Sequence, residues 1–218
     1  ASIDANNFHF CDFVASKRLP TIISTGMCTY DELKKTKKIF QKYNTPHMFL
    51  HCTSSYPSEE KDKNLLCIPE LRKKLKTDIG FSGHGKGMAG TVGAVSLGAT
   101  VIEKHSTLNK LMAGPDHAAS LEFDVLKDMI DLAKKVKISL GKPIKKLHPS
   151  EKILKSILSR KIVARKKIIK EKKLNFKNIK PVLVYEKYGL KTNEVFEVLN
   201  KKVKKNIEKG QIIKLNYV

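Results

Sequence analysis

The sequence predicts an α/β protein that forms the second half of a TIM-type (βα)8 barrel followed by a small β-rich domain. Short apolar runs alternate with helical patterns in the first two thirds of the chain, and this alternation stops after a Gly-Lys-Pro sequence at 141–143. A complete barrel of eight units needs about 250 residues, whereas only four clear units are present here. We divide the chain into a partial barrel domain (residues 1–143), a linker (144–158) and a second domain (159–218).

The four predicted strands are apolar on both faces, which is typical of parallel strands covered by helices. They occupy residues 21–23, 48–50, 79–81 and 100–102. Helical patterns follow them at residues 30–43, 69–76, 88–97 and 124–140, and residues 1–17 are interpreted as the end of a preceding unit. If half of the barrel is missing, we expect the strand residues Ile22, Phe49, Phe81 and Val101 to lack half of their packing partners.

The second part of the chain has a different pattern. Residues 144–158 are lysine-rich without clear periodicity, which favours a linker. Short strands are predicted within residues 160–169, 183–185 and 210–215, and a short helix within 192–200. A domain of about 60 residues is marginally stable by itself.

Composition excludes several classes of protein. The 43 basic and 21 acidic residues give a net charge of +22, most of it after residue 133. The basic residues are almost all lysines, so we interpret the charge as compositional bias without specific nucleic-acid recognition; a polyanion-binding protein is the alternative. No apolar run approaches the ~20 residues of a membrane span, and no signal peptide is recognisable, so we expect a cytoplasmic protein. Four cysteines without a CxxC pair exclude a disulfide scaffold and a structural zinc module.

Polar residues follow each predicted strand, where barrels and open parallel sheets place their active sites. His84 and His105 each come after a buried strand. Because neighbouring strands lie about 4.8 Å apart, both imidazoles could reach one divalent cation. Two imidazoles with open positions suit a catalytic Mn, Zn, Fe or Co site. The alternative is that each histidine is a core or capping residue.

A Gly-Pro-Asp-His loop at residues 114–117 follows the last strand. Asp116 in this loop could act as a general base, bind a hydroxyl group or serve as a turn residue. The loop leads into a helix that we expect to be capped near Ser120.

Several strings resemble the sialic acid synthases. They include Ser-Thr-Gly-Met at 24–27, His-Cys-Thr at 51–53 with Tyr-Pro at 56–57, Ser-Gly-His at 82–84, Glu-Lys-His at 103–105, and the Gly-Pro-Asp-His loop. The resemblance runs in order through essentially the whole chain. It implies a transferase in which C3 of phosphoenolpyruvate attacks the aldehyde carbon of an N-acetylated amino sugar while water displaces phosphate. For an N-acetylneuraminate synthase the sugar is N-acetylmannosamine or its 6-phosphate.

The resemblance also implies roles for individual residues. His84 and His105 would hold a divalent metal, manganese with magnesium or cobalt as alternatives, and Asp116 would bind sugar hydroxyls. The residues implied for phosphoenolpyruvate are Ser2, Ser24, Ser54, Tyr56 and Ser82. Ser54 replaces the Asn of many relatives, and Gly83 replaces an Asp that is common in bacterial ones.

The C-terminal part matches the same family. Residues 160–164 resemble the opening of the antifreeze-like (SAF) domain, which implies a homodimer with swapped C-terminal domains. The resemblance also implies that a basic residue of that domain reaches the partner's sugar site, and Lys187 is the nearest candidate here. Two alternatives stay open. The chain could belong to a synthase of legionaminic or pseudaminic acid or of spore-coat polysaccharide, or it could be an inactive fragment, since the family's first strands supply basic ligands and an acidic residue absent here.

Overall fold

A computed structural model describes residues 1–186 and 188–218 of the chain. These residues form two compact units, Ala1–Lys142 and Pro143–Val218. In the part of the chain described, no helix has the length and apolar character needed to cross a membrane.

The first unit alternates strands and helices, as the sequence predicts. Its helices are α1 (Phe8–Ser16), α2 (Tyr30–Lys42), α3 (Cys67–Leu75), α4 (Ala89–Ser96) and α5 (Phe123–Ser139). Its strands are β1 (Thr21–Ser24), β2 (His47–Cys52), β3 (Ile79–Gly83), β4 (Ile102–Lys104), β5 (Ser106–Thr107) and β6 (Leu121–Glu122). Short 3-10 turns occupy Ser2–Asp4, Glu60–Asp62 and His117–Ala119.

The central element is a parallel sheet in the order β1-β2-β3-β4. Each strand pairs with the next along the chain, and all their carboxyl ends therefore meet at one edge of the sheet. The expected α/β fold with a curled half-barrel sheet is confirmed. The register aligns Cys52 of β2 with Ser82 of β3, and Ser82 with Glu103 of β4.

The two faces of this sheet differ in packing. Phe49 and Phe81 belong to one core with residues of the surrounding helices, and their exposed fractions are 0% and 3%. The expectation that these two side chains lack half of their packing partners is therefore wrong, because the helices of this unit already cover that face. Ile22 points the other way and is 56% exposed. The lack of packing is thus seen at Ile22, whereas Leu50 on the same face is fully buried.

Helix α2 shows how local sequence fixes the elements around the sheet. Thr29 and Glu32 form a capping box at its start, each side chain accepting a hydrogen bond from the other residue's backbone N–H. The hydrogen bonds that the Glu32 carboxylate accepts from the backbone N–H of Thr29, the Asn6 amide and the Thr29 hydroxyl lower the pKa of Glu32 to about 2. Leu33 and Phe40 lie on the buried side of the helix. The cap and the apolar face together set where α2 begins and which side it packs.

The second unit contains α6 (Pro149–Leu158), β7 (Lys161–Ala164) and β8 (Ile179–Val182). Strands β7 and β8 are antiparallel, and further 3-10 turns lie at Thr192–Glu197 and Leu215–Tyr217. Isolated bridges connect Val163 with Ile212 and Ile168 with Ile207. A separate apolar core, which includes Leu174 and Ile213, fills this unit.

Two expectations for the C-terminal part differ from the structure. The second strand is Ile179–Val182 rather than 183–185, because the ladder with β7 pairs Ile179 with Ala164. The segment interpreted as a linker contains helix α6, which begins with a capping box between His148 and Glu151. Its first residue is Pro149, a favoured position for proline.

Candidate active site

The imidazole rings of His84 and His105 lie next to each other at the carboxyl edge of the sheet. Their centroids are 5.2 Å apart in an edge-on arrangement. His84 follows β3 directly and is 8% exposed, whereas the side chain of His105, which follows β4, is 37% exposed. The parallel pairing of β3 with β4 brings these two rings together.

The His84 ring contacts residues at the carboxyl end of β2. Its Nδ1 atom lies 3.6 Å from Cys52 Sγ and 3.3 Å from the carbonyl oxygen of Thr53. Burial raises the pKa of the Cys52 thiol, but hydrogen bonds from His84 and Ser2 outweigh this and lower it to about 7. The bond with Cys52 in turn raises the pKa of His84 against the opposing effect of burial. Each group favours the charged form of the other.

Ser2 and Ser54 surround the same thiol. The Ser2 hydroxyl donates to Cys52 Sγ at 3.5 Å, and Ser54 Oγ lies 3.8 Å from it. The backbone N–H of Gly26 donates to Ser2 Oγ at 3.1 Å. A Cβ atom on Gly26 would stand 2.0 Å from Ser54 Oγ and 3.1 Å from Cys52 Sγ. Only glycine at position 26 allows this close approach.

Ser24 and Ser82 converge on one carboxylate. Ser82 donates to Glu103 Oε1 at 2.6 Å, and Ser24 donates to the same oxygen at 3.4 Å. The alignment of Ser82 with Glu103 in the sheet register places these side chains side by side. Among the described residues, none of the serine hydroxyls at positions 2, 24, 54 and 82 bonds to a lysine or arginine.

Tyr56 covers the pair of histidines. Its ring centroid lies 4.2 Å from that of His84 and 5.8 Å from that of His105. Burial raises the pKa of the Tyr56 hydroxyl, with a further contribution from the charges of Cys52 and Asp116. The phenol therefore stays protonated and can donate a hydrogen bond to an anion.

The Gly-Pro-Asp-His loop brings the carboxylate of Asp116 next to the ring of His105. Asp116 Oδ2 lies 3.9 Å from His105 Nδ1, and the carboxylate side chain is 54% exposed. A short bond of 2.7 Å between Thr107 Oγ1 and His117 Nδ1 ties the loop to β5. Ser120 does not cap the next helix as expected: α5 begins at Phe123, and Ser120 Oγ instead donates to the Asp116 carbonyl.

The donor set suits a divalent cation held in an open site. His84 and His105 supply two imidazoles with their rings side by side, and His105 faces Asp116 of the loop. Within residues 1–186 and 188–218, no group of three or more His, Cys, Asp and Glu side chains has metal-binding geometry. A cation here would complete its coordination with water or substrate, which is typical of catalytic sites.

The structure thus brings together the residues singled out from the sequence. Two further residues, Cys52 and Glu103, lie among them without having been assigned a role. Both belong to strings that resemble the family, and both occupy strand positions in register with Ser82. The strand register is the information that would have identified Cys52 and Glu103 as site residues. Lys187, the basic candidate of the second domain, lies outside the described residues.

A family model described as the NeuB family matches residues 1–145. The chain is 38% identical over 216 residues to the pseudaminic acid synthase of Campylobacter jejuni, covering 98% of this chain and 62% of that protein. It is 37% identical to the human N-acetylneuraminate-9-phosphate synthase, covering 96% of this chain and 58% of that protein. An N,N'-diacetyllegionaminic acid synthase of Campylobacter jejuni is 32% identical, covering 97% and 64%. The chain therefore spans about three fifths of the length of these relatives.

The fold agrees with this relationship. The crystal structure of the N-acetylneuraminic acid synthetase of Leptospira borgpetersenii in complex with citrate matches with a TM-score of 0.66 and 33% identity, covering 70% of this chain and 54% of that one. The matched family model covers more than half of the chain and contains both histidines, the paired serines and the Asp116 loop. This chain belongs to the NeuB family of sialic acid synthase-like proteins.

Proposed function

We propose that this chain is part of a synthase that joins phosphoenolpyruvate to an N-acetylated amino sugar and releases phosphate. The observation that carries the proposal is the pairing of His84 and His105 beside Asp116 at the carboxyl edge of the sheet. Family membership supports the reaction class, because relatives bear the names of sialic, pseudaminic and legionaminic acid synthases.

The proposed reaction forms one carbon–carbon bond and replaces the C2–O bond to phosphate with a C2–O bond to the oxygen of water. C3 of phosphoenolpyruvate attacks the aldehyde carbon of the sugar, water adds to C2, and the C2–O bond to phosphate breaks. The water supplies the oxygen that stays on C2, so the products are a 2-keto sugar acid and inorganic phosphate. A divalent metal, manganese with magnesium or cobalt as alternatives, would be held by His84 and His105 and would polarise the aldehyde oxygen.

The hydroxyl groups at the strand ends would bind and orient phosphoenolpyruvate. Ser24 and Ser82 already donate to Glu103, and a bound anion would take up these donors while repelling the carboxylate. Tyr56 would donate its phenolic hydrogen from the side of the histidines.

Asp116 would select the amino sugar. Its carboxylate is exposed on a loop and accepts hydrogen bonds, so it can bind sugar hydroxyls next to His105. N-acetylmannosamine or its 6-phosphate is the substrate that we propose. Another nonulosonic acid precursor is the alternative, supported by the equal similarity to pseudaminic and neuraminic relatives.

The experiment is a fusion of this chain to the portion of the Campylobacter jejuni pseudaminic acid synthase that it does not match. Phosphate release from phosphoenolpyruvate is measured with N-acetylmannosamine, its 6-phosphate and a di-N-acetylated amino sugar, which also decides the substrate. The same fusion with both histidines replaced by alanine is the control. A folded fusion that releases no phosphate with any sugar contradicts the proposal.

We also propose that the second unit is an SAF-type domain and that the protein is a homodimer with swapped C-terminal domains. The string Arg-Lys-Ile-Val-Ala at 160–164 supports this, because it leads into and forms strand β7. Light scattering on the fusion protein tests the assembly. A strictly monomeric fusion that is active contradicts the swapped dimer.

A further inference from the structure

The environment of His84 Nδ1 defines which ring nitrogen can bind a ligand. This nitrogen lies 3.3 Å from the carbonyl oxygen of Thr53, which can only accept a hydrogen bond. The Nδ1 atom must therefore carry the hydrogen to satisfy this contact. The lone pair of the neutral ring is then on Nε2, the nitrogen turned away from β2.

Cys52 supplies the second contact of the same N–H group. Its sulfur lies 3.6 Å from Nδ1, within the range of a hydrogen bond to sulfur. Cys52 is 7% exposed, and it ends β2 in register with Ser82 of β3, the strand that His84 follows. The thiol is thus fixed by the sheet itself rather than by a mobile loop.

The sulfur is itself held by a chain of hydrogen bonds. The N–H of Gly26 donates to Ser2 Oγ, and the Ser2 hydroxyl donates to Cys52 Sγ. Ser54 Oγ lies 3.8 Å from the sulfur on another side. The thiol therefore connects a backbone amide after β1 with the ring of His84 after β3, across the intervening strand.

We infer that Cys52 is a positioning residue that holds His84 with Nδ1 protonated and Nε2 aimed at the metal. The inference rests on the proposed function, since it assumes that His84 is a metal ligand. Histidine ligands in proteins generally donate their other N–H to a fixed acceptor, and loss of that acceptor weakens metal binding about 10- to 100-fold. Here a sulfur shares this task with a backbone carbonyl.

The test compares metal binding by variants of the 218-residue chain. Mn²⁺ affinity is measured by electron paramagnetic resonance and Co²⁺ binding by visible absorption. We expect Cys52→Ala to weaken Mn²⁺ binding about 10- to 100-fold and to change the Co²⁺ spectrum. Cys52→Ser should recover part of the loss, because its hydroxyl accepts the same hydrogen bond from a shorter side chain.

Two variants serve as controls. Cys11→Ala removes a thiol of similar burial that bonds only to the Asp4 and Ala5 carbonyls, and it should leave metal affinity unchanged. His84→Ala should abolish the affinity. If Cys52→Ala binds as the parent does while His84→Ala does not bind, the positioning role is wrong and the metal site stands. If Cys11→Ala weakens binding as much as Cys52→Ala, the effect is general destabilisation and the role is also wrong.

A second measurement needs no metal. The ¹⁵N chemical shifts of the His84 ring report which nitrogen is protonated in the metal-free chain. We expect Nδ1–H in the parent and a mixture of tautomers in Cys52→Ala. A parent chain with Nε2–H contradicts the inference. If neither the parent nor His84→Ala binds metal, the proposed function fails with it.

Discussion

Ser82 and Glu103 occupy paired positions of neighbouring parallel strands, and the serine hydroxyl donates to the carboxylate at 2.6 Å. The serine is 1% exposed, so this bond is formed where water barely reaches its donor. Ser24 donates to the same oxygen from β1. One carboxylate thus connects the two outer strands of the sheet.

This relationship predicts energetic coupling between Ser82 and Glu103. A hydrogen bond to a charged group contributes about 1.5–3 kcal/mol, and the exposure of the carboxylate places our expectation near the lower end. We expect the effects of Ser82→Ala and Glu103→Gln on the free energy of unfolding to be non-additive by about 1.5 kcal/mol. A urea-denaturation double-mutant cycle measures the coupling. Strictly additive losses would show that the bond contributes nothing.

Substitution of Gly26 should disrupt the group around Cys52. The added methyl of Gly26→Ala would collide with Ser54 Oγ at 2.0 Å and with Ser2 Oγ at 2.8 Å. Overpacking of this kind costs about 1–3 kcal/mol, measured by chemical denaturation. Adding Ser54→Ala removes the closest atom and should restore part of the stability. A double variant no more stable than Gly26→Ala contradicts this steric explanation.

His84 and His105 should each be required for metal binding. Because these two imidazoles are the protein donors that we assign, replacing either by alanine should remove most bound manganese. The unfolding free energy should fall only modestly, since the side chain of His105 is 37% exposed and neither histidine belongs to the apolar core. Metal analysis of the purified variants checks this. Unchanged metal content in both variants would refute the assignment.

Asp116→Asn should affect the two substrates differently. The neutral amide loses a charge-assisted hydrogen bond, which is worth about 1.5–3 kcal/mol, or roughly 10- to 150-fold, once the sugar excludes water. We expect the KM for the amino sugar to rise and that for phosphoenolpyruvate to stay the same in the fusion protein. Equal losses for both substrates would indicate a structural turn instead.

His51 should make the folded state sensitive to acid. It faces away from the site, and its Nε2–H donates to the Lys63 carbonyl at 2.8 Å. Burial lowers the pKa of His51 and outweighs the hydrogen bonds to the backbone that raise it. The contribution of neutral His51 to the free energy of unfolding is therefore complete above the pKa of histidine in the unfolded chain, about 6.5. It is lost as the pH falls from there toward the lower pKa of His51 in the folded protein.

The variant His51→Asn should reduce this loss. Its unfolding free energy should fall less than that of the parent between pH 7.5 and 5, although it is less stable at pH 7.5. The exposed residue His9 offers a matched control, because His9→Asn should keep the parental dependence. Denaturation at a series of pH values measures both. Identical pH dependence in all three proteins contradicts the role of His51.

The elements of the first unit could be predicted because their signals are local. Continuous apolar runs identify the parallel strands, and α2 carries its own capping box. Strand β4 begins at Ile102, two residues later than predicted, although the carbonyl of Val101 and the N–H of Thr100 already bond to β3. Helix α6 was not predicted because the lysine content of residues 144–158 favoured a linker, although Ile153, Leu154, Ile157 and Leu158 recur at helical spacing. These four side chains remain exposed.

The contacts within the site depend on tertiary register and could not be predicted in the same way. Each strand end could be recognised by its own polar residues. That Cys52 aligns with Ser82, and Ser82 with Glu103, follows from the pairing of three strands separated by two helices. A shift of one residue in either pairing would turn these side chains to the opposite face.

Strands β1 and β4 are the outer members of the parallel sheet and, in the described part of the chain, each pairs with a strand on one side only. The backbone N–H and C=O groups on their outer edges can form hydrogen bonds with a strand of another polypeptide. Two partners would then compete for the same two edges. One is a second copy of this chain, and the other is a separately added polypeptide that supplies further parallel strands, such as the unmatched portion of the Campylobacter jejuni synthase. Refolding at low concentration with an excess of the added polypeptide should favour the complex of the two different chains. Refolding of this chain alone at high concentration should favour self-association, which is seen as turbidity.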